Sequence, residues 1–201
     1  MTVVRIIPVG DHARLVEVAD ARAAVSLALW ARERGIPATE IVPGAATVLF
    51  DGLDGGIDLP AALDAWSQEE PVPAGRQVVV PVVYDGPDLA AVAALWAVAV
   101  DEVVRRHTSV EFTSAFCGFA PGFAYLAGLP SEWAVPRLDQ PRARVEPGSV
   151  GLAGAWCGVY PTASPGGWQL LGRTEAPLWD LARDEPALLS PGTGVRFEAR
   201  P

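Results

Sequence analysis

Tyr160-Pro161-Thr162-Ala163-Ser164-Pro165-Gly166-Gly167-Trp168-Gln169-Leu170-Leu171-Gly172-Arg173-Thr174 is the stretch whose reading decides the fold. It sets a Pro-Gly turn among aromatics and runs into a strand-like segment. An upstream counterpart, Gly118-Phe119-Ala120-Pro121-Gly122-Phe123-Ala124-Tyr125-Leu126, repeats the arrangement. Proline presets φ for the second position of a tight turn, and glycine supplies the positive φ wanted at the third. Such turns can aim successive backbone N–H groups into one concavity that suits an anion. The plain alternative is two tight turns in a β-rich core with aromatics laid over them, and turn chemistry alone favours it, because Pro-Gly pairs are common.

Outward from these turns the second half of the chain reads as short strands between Gly and Pro clusters. They are Val110 to Phe116, Val150 to Ala153, Trp156 to Tyr160, Trp168 to Leu171 and Val195 to Glu198. This pattern predicts a sandwich or a closed barrel. Ahead of it, Gln77 to Tyr84 alternates as a strand. Pro87 suits a helix start with Leu89, Val92, Ala93 and Trp96 on one face, and Val100, Val103, Val104 and His107 share a second helical face. Periodicity leaves open whether these are one helix or two.

The first part of the chain has a different rhythm. Val3 to Val9 and Leu15 to Val18 read as strands around Gly10-Asp11. Asp20 caps a helix that ends at Gly35, with Val25, Ala28, Leu29 and Arg32 on its expected inner face. Ile41 to Val42 and Thr47 to Phe50 read as two more strands, and Asp58 to Trp66 as a short helix. The order β-β-α-β-β-α predicts a small α+β unit with helices on one face of a sheet. Glu69-Glu70-Pro71-Val72-Pro73-Ala74-Gly75 is the expected linker.

Composition narrows the chemistry. Of 201 residues, 50 % are hydrophobic and 19 % charged, enough apolar material for a real core. The net charge of −9 disfavours nucleic acid and anionic membranes as partners. Every basic residue other than histidine is arginine, so a Schiff-base or P-loop lysine is excluded from this chain. The longest apolar run, Leu89 to Val100, falls short of the ~20 residues a membrane span needs. With no leader-like start and only Cys117 and Cys157, reduced thiols and a cytoplasmic location are expected. Two histidines and two distant cysteines offer no metal spacing.

Few side chains stand out for catalysis. His107 closes a helical face where the dipole favours its protonated form, but a packed histidine is the simpler reading. His12 fits a local turn role. Cys117 has no base nearby and reads as a small buried hydrophobe. Gly148-Ser149-Val150-Gly151 lacks the spacing of a nucleophile elbow. Arginines are better candidates: Arg137, Arg142 and Arg144 lie in a proline-rich loop, and Arg173 follows the Pro-Gly-Gly turn. An arginine fork beside turn N–H groups suits phosphate or carboxylate, whereas a surface ion pair is the plain alternative. Phe119, Phe123, Tyr125, Tyr160 and Trp168 flank both turns and suit a pocket or an interface, with core packing the default for each singly.

Both turn strings resemble the family of the B-type 5-oxoprolinase subunit. So do Val80-Pro81-Val82-Val83-Tyr84-Asp85-Gly86-Pro87-Asp88-Leu89, Val103-Val104-Arg105-Arg106-His107-Thr108, Pro136-Arg137, Pro141-Arg142 and Pro147-Gly148-Ser149-Val150. Gly10-Asp11-His12-Ala13-Arg14-Leu15-Val16-Glu17 and Pro43-Gly44-Ala45-Ala46-Thr47-Val48 extend the likeness over nearly the whole chain. The family also holds a bacterial inhibitor of a sporulation histidine kinase. The same fold unit is the first half of a carboxyltransferase-type domain in urea amidolyases, under the older name allophanate hydrolase subunit 1. The resemblance implies an α+β protein: a small N-terminal α/β-sandwich domain over residues 1–70, then a cyclophilin-like β-barrel domain over 77–201.

It also implies a subunit of ATP-dependent 5-oxoprolinase, which converts 5-oxo-L-proline, ATP and water to L-glutamate, ADP and phosphate. The implied partners are a large carboxyltransferase-like subunit and a ring-opening lactam-utilisation subunit. ATP would be a co-substrate bound with the partner, and this chain would hold no metal. The implied substrate- or phosphate-binding residues are Gly118, Phe119, Pro121, Gly122, Tyr125, Arg137, Ser164, Pro165, Gly166, Gly167, Trp168 and Arg173, with His107 and Arg142 as further candidates. A regulatory protein docking on a histidine kinase, and a urea-type carboxyltransferase subunit, are the alternatives. Glu146 before Pro147, and Thr193 where an aspartate is usual, depart from the family pattern.

Overall fold

A computed structural model describes residues 5–53, 56–67 and 75–201, and the chain divides into two compact units, Met1–Gly75 and Arg76–Pro201. The expected strand start at Val3 and Val4 and most of the expected linker lie outside the described residues. In the first unit, β1 (Arg5–Val9), β2 (Ala13–Glu17), β3 (Glu40–Pro43) and β4 (Thr47–Asp51) form an antiparallel sheet in the order β1-β2-β4-β3. Helix α1 (Ala21–Glu33) packs on it, and α2 (Leu59–Leu63) follows. Asp20 caps α1 by accepting from the Ala23 N–H at 2.9 Å.

The buried stripe of α1 differs from the expected one. Ala24, Leu27, Ala28 and Ala31 are fully buried, while Arg32 is exposed and Leu29 only half-buried. The expected Val25 and Ala28 are buried, but burial covers a broad arc that also takes in Ala21, Ala23, Ser26 and Trp30, and the small side chains admit close contact with the sheet. Helix α2 is shorter than expected because Trp66 folds back into the core, where its indole N–H lies 3.4 Å from Ser26 Oγ.

The second unit is a closed barrel. Its strands are β5 (Gln77–Val83), β6 (Phe112–Cys117), β7 (Ala124–Ala127), β9 (Ser149–Ala153), β10 (Trp156–Val159), β12 (Gln169–Arg173) and β13 (Gly194–Arg200), ordered β10-β7-β6-β13-β5-β12-β9. Only β13 and β5 run parallel among the named pairs. Two further strands, β8 (Arg142–Val145) and β11 (Ser164–Gly166), pair with each other. Helices α3 (Leu89–Leu95) and α4 (Val100–Ser109) are separate, so the two helical faces seen in the sequence belong to two helices. Gly172 marks a tight seam: a Cβ there would lie 2.3 Å from the Val83 carbonyl oxygen, and the register of β12 on β9 shifts between Leu170 and Gly172.

Alternation along each strand sorts side chains between two layers. Val80, Val82, Leu126, Val150, Leu152, Cys157, Leu171, Val195 and Phe197 fill the barrel core, while Phe123, Ala153, Tyr160, Trp168 and Leu170 form a second cluster. α4 delivers His107 to the barrel core with no exposure at all. Its Nδ1 lies 2.6 Å from the Tyr84 hydroxyl and its Nε2 3.3 Å from Cys157 Sγ, and its ring packs 4.6 Å from that of Phe197. Burial holds the imidazole neutral, with its pKa lowered to about 3. The dipole argument for a protonated His107 therefore fails, because desolvation outweighs a helix end. Burial also pushes the Tyr84 phenol and the Cys157 thiol up.

A histidine held neutral in the native state costs stability in acid. The unfolded chain takes up a proton below pH ~6.5 while the native state does so only near pH 3, so the His107 contribution is whole above ~6.5 and shrinks as pH falls towards 3. We expect this group to steepen the loss of stability by about 1.4 kcal/mol per pH unit across that window. Urea unfolding at stepped pH should show that slope difference between the native chain and His107→Gln.

Candidate ligand-binding site

The aromatic cluster of the second unit opens into a hollow of about 600 Å³. Phe119, Phe123, Tyr125, Trp156, Tyr160 and Trp168 line it, with Val135, Pro136, Arg137, Ala153, Gly154, Pro165 and Gly166. Tyr125 comes from β7, whose Ala124 and Leu126 point into the barrel core, so alternation turns it onto the outer layer. Trp156 arrives in the same way from β10, and Trp168 from the bend directly before β12. The rings meet largely edge to face: Phe123 lies 5.4 Å from Tyr160 at 73° and 5.5 Å from Trp168 at 87°. This is the arrangement that aromatic quadrupoles favour.

Arg137 is the one charged side chain of the lining, and it makes no ion pair or hydrogen bond among the described residues. Its loop is anchored by the Leu138 N–H donating to the Gly167 carbonyl at 2.8 Å. A Cβ on Gly167 would come within 3.7 Å of Arg137 Nε, which places the guanidinium stem across that glycine. Burial pushes the Tyr160 phenol up, and Arg137 and Arg142 partly offset this. Free guanidinium and aromatic faces together suit a small molecule with a flat apolar body and a carboxylate or phosphate. The lining contains no histidine, carboxylate or cysteine to act as general base. Among the described residues, no group of three His, Cys, Asp or Glu side chains is placed to hold a metal ion.

Beneath the hollow sits a carboxylate that sequence reading passed over. Asp88 is 7 % exposed; its Oδ1 accepts from Arg142 Nη2 at 2.6 Å and its Oδ2 from the Leu170 N–H at 2.7 Å. Arg142 Nη1 reaches the Trp168 carbonyl at 3.4 Å. Arg142 is thus engaged in holding the wall of the hollow rather than free for a ligand.

Six of the expected site residues line the hollow: Phe119, Tyr125, Arg137, Pro165, Gly166 and Trp168. Gly118 lies behind Tyr125, and Gly167 under Arg137. Gly122 takes φ +87°, as its turn requires, and packs against Leu178 and Trp179. Pro121 faces a different hollow, with Pro147, Pro161, Pro177 and Trp179. The expected Pro165-Gly166 turn is instead strand β11, paired with β8 through Ser164↔Val145 and Gly166↔Arg142. Its glycine serves close packing, since a Cβ on Gly166 would fall 2.4 Å from the Tyr160 hydroxyl. The Ser164 hydroxyl is buried with no hydrogen-bond partner.

Two of the expected residues lie elsewhere in the fold. Arg173 does not reach the hollow; it pairs with Asp85 at the surface and lines a separate groove with Thr174 and Arg200. The register of β12 on β9 shifts between Leu170 and Gly172, just before Arg173. His107 belongs to the barrel core. Conversely, Val135, Pro136 and Trp156, absent from the expected site residues, join the hollow through the isolated bridge Val135↔Gly154 and the β9–β10 hairpin.

The second unit is a closed barrel with a ring-lined hollow on one wall, and likeness to known proteins places the chain in a family. The family model of the carboxyltransferase domain, subdomain C and D, matches residues 4–189, and the chain belongs to that family. It is similar to the B-type 5-oxoprolinase subunit of Escherichia coli O157:H7, 51 % identical over 136 residues, which are 66 % of this chain and 62 % of that protein. The B-type 5-oxoprolinase subunit of Bacillus subtilis (strain 168) is 43 % identical over 125 residues, 61 % of this chain and 52 % of that one. The matches thus span between about half and two thirds of these relatives' lengths. The crystal structure of TTHA0988 superposes with a TM-score of 0.80 at 30 % identity, covering 95 % of this chain and 40 % of that one.

Removing the carboxylate under the site should loosen it. Asp88→Ala leaves Arg142 and the Leu170 N–H without their partner, and we expect a loss of about 2–4 kcal/mol, as for breaking a largely buried charged hydrogen bond. Denaturant unfolding checks the stability. Quenching of tryptophan fluorescence, with Trp168 among the reporters, checks whether the wall has become accessible.

Proposed function

We propose that this chain is a subunit of an ATP-dependent 5-oxoprolinase, binding the 5-oxo-L-proline lactam in the aromatic hollow and acting with partner subunits. The observation that carries the reading is one unpaired guanidinium, Arg137, set among six aromatic side chains. The lactam offers a flat ring to the aromatic faces and a carboxylate to Arg137. The relatives named as 5-oxoprolinase subunits support the same assignment. In this reading the barrel, over residues 77–201, is of the cyclophilin-like class, and residues 1–70 form a separate small α+β domain.

The reaction consumes ATP and water and yields L-glutamate, ADP and phosphate. Activation by phosphorylation of the lactam oxygen requires stabilisation of phosphate charge and of the developing imidate. The lining supplies one cation and no general base, so the rest of the machinery belongs to partners: a large carboxyltransferase-like subunit, with which ATP is bound, and a ring-opening lactam-utilisation subunit. This division explains why so complete a binding hollow lacks acid–base groups. It also locates this chain's contribution in substrate orientation and carboxylate recognition.

The chain alone should show no ATP-dependent release of glutamate, and adding both partner subunits should restore it. Robust turnover by the isolated chain would overturn the shared-site reading. In the reconstituted assembly, Arg137→Lys keeps the charge but loses the planar fork, and we expect about ten- to a hundred-fold lower kcat/KM. The melting temperature should barely move, because Arg137 is exposed. Unchanged kinetics in that variant would remove Arg137, and with it the hollow, from substrate binding.

A further inference from the structure

Phe119 combines two properties that a bulky apolar residue seldom shows together. Its φ is +69°, in the left-handed region where a large side chain is an outlier, and it is 58 % exposed. The turn around it is nonetheless firmly tied. The Ala120 N–H donates to the Gly118 carbonyl at 2.8 Å, the Phe123 N–H to the Ala120 carbonyl at 2.9 Å, and the Gly118 N–H to the Phe123 carbonyl at 3.3 Å. Glycine at position 119 would adopt this φ freely, so the backbone conformation is held for the sake of where it sends a ring.

That ring stands at the hollow and touches its wall edge-on. It lies 5.2 Å from Phe123 at 68° and 6.1 Å from Tyr160 at 88°, and much of the rest of its surface is bare. Strained residues of this kind persist where surrounding structure over-determines them, and they concentrate at ligand clamps. A five-membered lactam fills well under half of a space of about 600 Å³, so the walls already buried leave one side of such a ligand uncovered. Phe119 is the exposed member of the lining aromatics placed to cover it.

We propose that Phe119 is a specificity-determining residue of the hollow, its ring closing over one face of a compact cyclic carboxylate held by Arg137. The inference rests on the reading of the hollow as the 5-oxoproline site. It adds a direction of selectivity. An aromatic face stabilises the packed face of a small ring and does little for a flexible open chain bearing the same carboxylate. Phe119 therefore favours the lactam over L-glutamate, the open-chain product, and helps the product leave.

The test is calorimetric binding of 5-oxo-L-proline and of L-glutamate to the assembled subunits without ATP, comparing the native assembly with Phe119→Ala and Phe119→Gly. Loss of one aromatic contact should lower the lactam-to-glutamate affinity ratio about five- to tenfold in both variants, with glutamate affinity itself nearly unchanged. Phe119→Gly relieves the backbone, so it should melt at or above the temperature of Phe119→Ala while showing the same loss of selectivity. A ratio kept within twofold in either variant overturns the assignment of Phe119, as does an equal loss of both ligands. Failure of the native assembly to bind 5-oxo-L-proline at all overturns the reading of the hollow and the inference with it. The two failures are therefore distinguishable.

Discussion

The arrangement of the candidate site depends on a single buried carboxylate. Asp88 stands at the start of α3, yet it accepts from Arg142 and from the Leu170 N–H, partners 54 and 82 positions away in the chain. Through Arg142 the tie continues to the Trp168 carbonyl. Three segments remote in sequence are thereby held at one point: the entry to the helices, the proline–arginine loop and the run from Trp168 into β12. In a poorly solvated setting both oxygens must be engaged, and that requirement fixes the geometry more tightly than apolar packing alone. The wall of the hollow inherits its position from this tie.

Around it, the barrel separates two kinds of interior. Inside, aliphatic side chains surround a neutral His107 bracketed by Tyr84 and Cys157, a polar group made tolerable by its two neighbours. Outside, the same strands present aromatic rings, and the barrel wall becomes the floor of the hollow. Strand alternation produces most of this division: on β7, β9 and β10 each residue commits to one layer and its neighbour to the other, while β12 is interrupted by a register shift. The charges divide in a comparable way. Arg142, Arg144 and Arg173 are engaged by Asp88, Glu146 and Asp85, which leaves Arg137 as the cation available to a ligand in the hollow.

Much of the architecture is legible in local sequence because its causes are local. Asp20 caps α1 by bonding three residues ahead, and alternation from Gln77 marks β5 whatever lies beside it. The two aromatic turn strings meet in space, since Phe119, Tyr125, Pro165, Gly166 and Trp168 all reach one hollow. The inner face of α1 was legible in part: Val25 and Ala28 are buried, but burial extends over a broad arc rather than a narrow stripe.

Sequence alone determined the kind of elements, the family likeness and the aromatic, arginine-bearing character of the site. Tertiary structure decided which arginine lines the hollow. Arg137 and Arg173 are indistinguishable as strings beside glycine and proline. The bulge at Leu170–Gly172, the closeness of Asp85 and the anchoring of Leu138 on Gly167 send one to a surface pair and the other to the hollow. The same holds for Ser164–Gly166, a turn by its composition and a strand once β8 is there to pair with it. Turn propensities are worth little against a row of backbone hydrogen bonds offered by a distant segment, and only the folded chain brings that segment within reach.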